Sequence, residues 1–306
     1  MEEYPKTLLE FEEWFASEEA CRDYLRRLRW PEGFRCPRCG GEQAWAMSRG
    51  LAWCRHCDLQ TSVTAGTLFQ DTRTPLRLWF RAMWYVTNQK QGVNAVALQR
   101  ALGLGSYHTA WTWLHKLRRA MVRPGRDRLA GTVEVDEVYW GGEKPGKRGR
   151  GAAGKALIVV AAQEDGPRIG RIRLRRVPDA SARSLGAAVR EAIEPGSTVR
   201  TDPWHSYEGL PALGYRHRVA RKEAAVGQNL LPLVNRVVAL LKRWLLGTHQ
   251  GAVRGSHLDY YLDEFTFRFN RRTSRSRGML FYRLVQQAVA LDPVPAKQIK
   301  GARGSS

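Results

Sequence analysis

No stretch of about 18 apolar residues occurs anywhere in the 306-residue chain, so no membrane-spanning helix is expected. The start, MEEYPKTLLEFEEWF, is acidic and has no apolar core of a secretory signal, so export is not expected either. No internal repeat is visible, which argues against a solenoid. Cysteine is scarce and odd in number, five in all, with four of the five in two C-x-x-C pairs. That usage suits a metal in a reducing compartment better than a disulfide framework. Acids are also short: 29 Asp and Glu stand against 50 Lys and Arg, a formal net charge of +21. An excess this large points to a polyanionic partner, because phosphate contacts release counterions. A generally basic surface is the plainer alternative. The expected setting is the cytoplasm, a reducing compartment.

What is present is enough for one large domain and one or two small ones, with 43% hydrophobic residues. Residues 1–30 read as a helical lead-in and 31–68 as a Cys-rich, turn-rich module. Residues 72–122 read as a Trp-rich helical region. Residues 131–290 alternate strand and helix patterns, and 291–306 reads as a disordered tail.

Cys36, Cys39, Cys54 and Cys57 form C-x-x-C, fourteen intervening residues, then C-x-x-C. Each pair is a tight knuckle able to present two thiolates to one ion, and four Cys ligands predict a closed, structural zinc site. His56 lies inside the second pair as a rival ligand. Cys21 has no spacing partner and reads as a packed thiol. Arg35, Arg38, Arg49 and Arg55 suggest DNA contact by this ribbon, against a purely structural module.

In the helical region, LRLWFRAMWYVTNQK (76–90) is followed by NAVALQRA (94–101) and SYHTAWTWLHKLRRA (106–120), broken at LGLG. Gly103 as the turn and Ser106 as a cap fit a helix-turn-helix. The second helix would then present Tyr107, His108, Lys116, Arg118 and Arg119 outward or toward phosphate. The alternative is a plain helical hairpin burying Trp111 and Trp113.

The third region opens with GTVEVDEVYWGG, then the basic stretch Glu143–Lys155, KALIVVAAQE and RIGRIRLRRV. A helix at SARSLGAAVREAI (181–193), capped by Asp179 or Ser181, and a strand at STVRTD (197–202) follow. Three strands, a helix, a fourth strand and then helices is the opening order of an RNase H-like fold. The expected class is therefore α/β, a mixed five-stranded sheet preceded by the ribbon and the helix-turn-helix. Asp136 ends VEVD and Asp202 ends TVRTD. Side-by-side strands would bring these carboxylates together, and paired carboxylates repel unless a divalent cation joins them. Oxygen ligands and a phosphate substrate suit Mg²⁺ or Mn²⁺. An ordinary turn role is the alternative for each Asp.

CPRCG…CRHC, TPLRLWFRAMW, VEVDEVYWGGEK, TDPWHSYEGL, LLKRWLLGTHQG and YLDEFTFRFNRR, in one order, resemble the transposases of insertion-sequence family fifteen-ninety-five. These are the ISXO-two-like branch of the DDE transposases. The resemblance implies metal-dependent DNA cleavage and strand transfer at the terminal inverted repeats and target DNA. It also implies a homodimer or larger assembly on double-stranded DNA. A DDE enzyme has a third acid, usually Glu, on a later helix, yet LPLVNRVVALLKRWLLG (231–247) contains none. Family members with Asn or His there, followed by Lys seven residues on, make Asn235 and Lys242 the matching pair. Asn235 would offer a carbonyl oxygen to the metal and Lys242 would neutralise phosphate. Glu264 and Glu223 are acidic rivals for the third ligand. Glu134 shares the face of Asp136, and Glu137 points away.

Trp204, His205 and Tyr207 either stack on an end base or pack under their loop. Arg268, Asn270, Arg271, Arg272, Arg275 and Arg277 form a basic strip suited to phosphate or a solvated face. The alternative functions are a catalytically impaired DNA-binding regulator of the same fold and a nuclease that cuts without joining.

Overall fold

The computed structural model describes residues 3–47, 50–123, 125–141, 155–220 and 229–301. Arg49, Glu223, residues 143–154 of the basic stretch and the last five residues of the tail lie outside these. The chain divides into two compact units, Met1–Arg123 with Ser274–Ser306, and Pro124–Thr273. Among the described residues no helix is long and apolar enough to cross a membrane.

In the first unit, α1 (Leu8–Trp14) and α2 (Glu18–Arg29) each begin at a hydroxyl cap, Thr7 accepting from Glu10 N and Ser17 from Ala20 N. A three-stranded antiparallel ribbon follows: β1 (Ala44–Ala46), β2 (Leu51–Cys54) and β3 (Gln60–Ser62). Next come α3 (Leu76–Asn88), α4 (Ala95–Leu102) and α5 (Tyr107–Arg119). Asn94 Oδ1 caps α4 by accepting from Ala97 N, and Gly103 ends it with a left-handed φ of 62°, a conformation that costs glycine little. Ser106 Oγ then caps α5 by accepting from His108 N at 3.2 Å. The α3 helix has no cap of its own at Pro75; the Glu18 carboxylate supplies one, accepting from Leu76 N at 2.8 Å and Arg77 N at 3.2 Å.

Two helices from the far end of the chain complete this unit, α9 (Arg277–Ala290) and α10 (Ala296–Gly301). The expected 131–290 domain therefore stops sooner. The reason is aromatic packing: fully buried Phe281 of α9 lies 5.3 Å from Phe11, 5.6 Å from Phe15 and 5.7 Å from Phe80, ring centre to ring centre. The tail also departs from the expected disorder over its described part. Val294, just before α10, and Ile299, on it, are both buried.

The second unit is built on a five-stranded mixed sheet in the order β6-β5-β4-β7-β8. Its strands are β4 (Thr132–Trp140), β5 (Ala156–Asp165), β6 (Arg168–Val177), β7 (Thr198–Thr201) and β8 (Arg216–Val219). The β4–β5 and β5–β6 pairs are antiparallel, while β4–β7 and β7–β8 are parallel. β8, RHRV, has no apolar alternation and is mostly exposed, which hid it from a reading by periodicity. α6 (Ala182–Ala192), capped by Ser181 Oγ accepting from Ser184 N, covers one face with Leu185, Ala188 and Val189 against Val133, Val135 and Val199. The other face carries α7 (Pro232–Gly247) and α8 (Leu258–Asn270). Val234, Val237, Leu241 and Leu245 of α7 are all buried against the sheet. Each side chain of that size contributes about 1.5–3 kcal/mol, so α7 is held by packing rather than by propensity.

Candidate functional site

The ribbon brings Cys36, Cys39, Cys54 and Cys57 together with all four Sγ atoms within 4.8 Å of one another. Cys36 to Cys57 and Cys39 to Cys54 are each 3.6 Å. A zinc tetrahedron with bonds near 2.3 Å has an edge of about 3.8 Å, so the four thiols fit the ion. Against the Gly41 N–H, which lowers it, burial and the thiols of Cys57, Cys54 and Cys36 push Cys39 up to about 12. That crowding is what a bound cation would relieve. His56 is outside the cluster. Cys21 is fully buried in α2, and burial pushes its thiol up to about 12. Among the ribbon arginines, Arg35 pairs with Glu42 at 3.4 Å and Arg55 lies 4.4 Å over the exposed Trp45 ring.

On α5, Tyr107 and His108 are exposed, while Lys116 and Arg119 are half-buried. Arg118 corrects the expectation of an outward cation: it is 1% exposed. Its position in α5 falls on the buried side with Leu114 and Leu117, which helical spacing dictates. Trp113 is likewise buried and stacks on Trp79 at 3.8 Å. Half-buried Trp111 instead meets the His115 ring edge at 4.2 Å.

In the sheet, β4 and β7 run parallel with partners 66 positions apart: 132 with 198, 133 with 199, 134 with 200. Run on by two residues, that register sets Asp136 level with Asp202, the residue just after β7. Asp136 does not end its strand as the VEVD run suggested but sits at the middle of β4, which continues to Trp140. Alternation assigns the faces. Val133, Val135 and Tyr139 pack toward α6, whereas Val138 and Trp140 pack toward α7 and α8. Glu134 and Asp136 thus share the α7 face, and Glu137 takes the other. Asp136 Oδ1 accepts from Glu137 N at 2.8 Å, and Asp202 Oδ1 from Trp204 N at 3.1 Å.

Glu137 accepts a 2.8 Å hydrogen bond from the Tyr207 hydroxyl. Burial first, then Glu137, and further off Asp136 and Asp202, raise that hydroxyl far above its ordinary range. Both aspartates therefore contribute negative potential at one buried group. Glu134 is fully buried, with its carboxylate on the first turn of α7 and 3.3 Å from Arg200. Sequence reasoning put Glu134 on the correct face without giving it a role. It missed Arg200, whose pairing depends on strand register.

Asn235 is exposed on the first turn of α7, where its amide donates to Asn229 Oδ1. Lys242 is exposed two turns further along. Glu264 is buried in α8 and held by Arg268 at 2.7 Å. Among the described residues, the four thiols are the one group of three or more His, Cys, Asp or Glu side chains close enough to hold an ion. Trp204 is half-buried, donates from its indole to Ala180 O at 3.2 Å and touches the exposed His205 ring at 4.1 Å. Arg271 lies 4.2 Å over Phe267. Arg272 binds the backbone oxygens of Gly170 and Ile169.

Residues 128–270 match the family described as ISXO2-like transposase domain, and residues 16–60 match the transposase zinc-ribbon domain. Both matches are to transposase domains. The first of these matches spans β4 through α8, and so contains both aspartates and Asn235. A protein of Halobacterium salinarum, described as an uncharacterized protein in transposable element ISH50, is 29% identical over 140 residues. The alignment covers 44% of this chain and 45% of that protein, so the chain spans less than half of its relative's length.

Proposed function

We propose that the protein is a DNA transposase that binds the ends of a mobile element and catalyses metal-dependent cleavage and strand transfer. The observation that carries this reading is the parallel β4–β7 pairing, whose register, run on by two residues, sets Asp136 level with Asp202 just past β7, within the stretch matching an ISXO2-like transposase domain. The strand order, an antiparallel trio flanked by two parallel strands, supports an RNase H-like catalytic fold. Carboxylates brought together this way fit Mg²⁺ or Mn²⁺, which when bound supplies electrostatic stabilisation of the attacking and leaving oxygens.

Asp136 and Asp202 would hold the cation, with the Asn235 carbonyl oxygen as a neutral third ligand. Lys242 would balance phosphate charge. In the first displacement a water oxygen attacks phosphorus at the element end. The bond to the 3′ oxygen breaks, leaving a 3′-OH. In the second, that hydroxyl attacks a target phosphodiester, losing its proton, and displaces the target's own 3′ oxygen. The ribbon, with its four Cys on zinc, and the α4–α5 pair, acting as a helix-turn-helix, would recognise the terminal inverted repeats. Lys116, Arg119, Trp204, His205 and Arg271 are the proposed DNA contacts, and a dimer would join two element ends.

The test is a strand-transfer assay with element-end DNA and Mg²⁺. Wild type is expected to give nicked and joined products, and Asp136→Ala and Asp202→Ala neither. Cleavage that survives both substitutions overturns the site. Specific DNA binding with no Mg²⁺-dependent product from wild type identifies an impaired regulator instead, and nicks without joints identify a nuclease.

A further inference from the structure

We infer that Glu134 is a positioning residue that locks the first turn of α7 to strand β4 and so sets Asn235 beside Asp136. This rests on the proposed catalytic reading of Asp136 and Asn235.

A carboxylate in the middle of a buried strand is costly to desolvate and survives only with partners. Glu134 is 0% exposed. Its Oε2 accepts from Leu233 N at 2.8 Å and Val234 N at 3.1 Å. These are first-turn amides that no earlier turn of the helix can satisfy. The helix has no local substitute, because its N-cap is Leu231, which makes no side-chain cap bond. Oε1 faces the guanidinium of Arg200 at 3.3 Å, and Arg200 is the register partner of Glu134 across the β4–β7 pair. One oxygen is thus taken by two amides, while the other has the ion pair with Arg200 but no hydrogen bond; the bonds the carboxylate does make tie it to α7.

The consequence follows from spacing alone. Asn235 is the residue after Val234, whose amide Glu134 holds, and Asp136 is two residues after Glu134 on the same sheet face. One anchor therefore holds the β4 backbone that carries Asp136 and the α7 backbone that carries Asn235 in a common frame. A neutral amide ligand binds a cation more weakly than a carboxylate and tolerates less misplacement. A rigid anchor at this point compensates for that weakness.

The test uses the full-length protein. In Glu134→Ala, amide exchange at Leu233 and Val234 should accelerate by about tenfold or more, since their acceptor is gone. The Mg²⁺ concentration for half-maximal cleavage should rise, and saturating Mg²⁺ should restore most of the rate. Glu134→Gln, which keeps an acceptor oxygen, should fall between wild type and Glu134→Ala. If Glu134→Ala does not fold, the double variant Glu134→Gln with Arg200→Gln carries the comparison. The Mg²⁺ effects of Glu134→Ala and Asn235→Ala should be non-additive, because one acts through the other.

Unchanged exchange at Leu233 and Val234, or additive effects of the two substitutions, overturns the inference. So does a loss of Mn²⁺ binding in Glu134→Ala as complete as in Asp136→Ala, which would make Glu134 a ligand. If Asp136→Ala itself leaves Mn²⁺ binding intact, the proposed function fails. The exchange comparison then still decides whether Glu134 anchors α7.

Discussion

The side-chain amide of Asn270 pairs with the backbone of Ile172 as a neighbouring strand would: Oδ1 accepts from Ile172 N at 2.7 Å, and Nδ2 donates to Ile172 O at 3.1 Å. Ile172 lies on β6, which ends the sheet order. An outer strand leaves main-chain groups open to foreign strands. Asn270 closes the middle of that edge, and Arg272, from the same FNRR run, closes the carbonyls of Gly170 and Ile169. The run read from sequence as a phosphate strip thus spends two of its members on the sheet.

Asn270→Ala should destabilise the protein by about 1–3 kcal/mol, since a buried donor and acceptor lose their partners. Asn270→Asp, which keeps the acceptor and loses the donor, should also destabilise it. Urea denaturation followed by circular dichroism measures both. A midpoint unchanged in Asn270→Ala would show that the edge needs no cap.

The ribbon should depend on its metal. Protein purified under reducing conditions should contain about one zinc per chain. Chelation, or Cys54→Ser, should abolish amide protection in β1–β3 while the sheet of the second unit keeps its own. A small ribbon cannot replace metal bonds with core burial. Metal analysis with hydrogen exchange checks this, and a zinc-free protein with a protected ribbon would refute it.

His217 predicts a pH dependence. Its Nε2 lies 2.9 Å from Thr201 Oγ1, and that hydroxyl already donates to Asp202 O at 2.7 Å. The imidazole is therefore the donor in this bond. Desolvation lowers its pKa below the usual value, against a smaller opposing effect of Glu208. A histidine lowered on folding favours the native state while neutral. Its contribution is complete above the unfolded value near 6.5 and is lost as pH falls below it. Between pH 7.5 and 5 the wild-type melting temperature should fall more than that of His217→Gln. Parallel falls would remove His217 from the account.

Gly278, the second residue of α9, faces the backbone carbonyl of Pro5, where any Cβ would collide. Gly278→Ala should cost about 1–3 kcal/mol or more and loosen the N-terminal segment, read as faster proteolysis before α1. Wild-type resistance in that variant would show that the segment yields without cost.

Much of this was legible in the chain because it is local. Cys spacing specified four converging thiols. The alternation of VEVDEVYW placed Glu134 and Asp136 on one face of a strand. Ser106, Gly103 and Ser181 marked helix ends by their chemistry. Failures came where the deciding partner is remote. Arg118 looked like a recognition-helix cation until its side of α5 proved to be the buried one. Arg272, read as a phosphate contact, also binds a strand edge about 100 residues earlier in sequence, which no local pattern announced. Residues 277–290 looked continuous with the preceding helices, yet Phe281 packs among aromatics from the start of the chain.

The sequence by itself determined the thiol cluster, the strand and helix periods and the order of acids along the chain, because each depends on spacing within a few residues. Only the tertiary structure decided which unit claims α9, that Glu134 meets the amides of Leu233 and Val234, and that Arg200 lies opposite it. Those are contacts between segments distant in the chain, set by sheet register and by burial, and no local pattern encodes which partner wins.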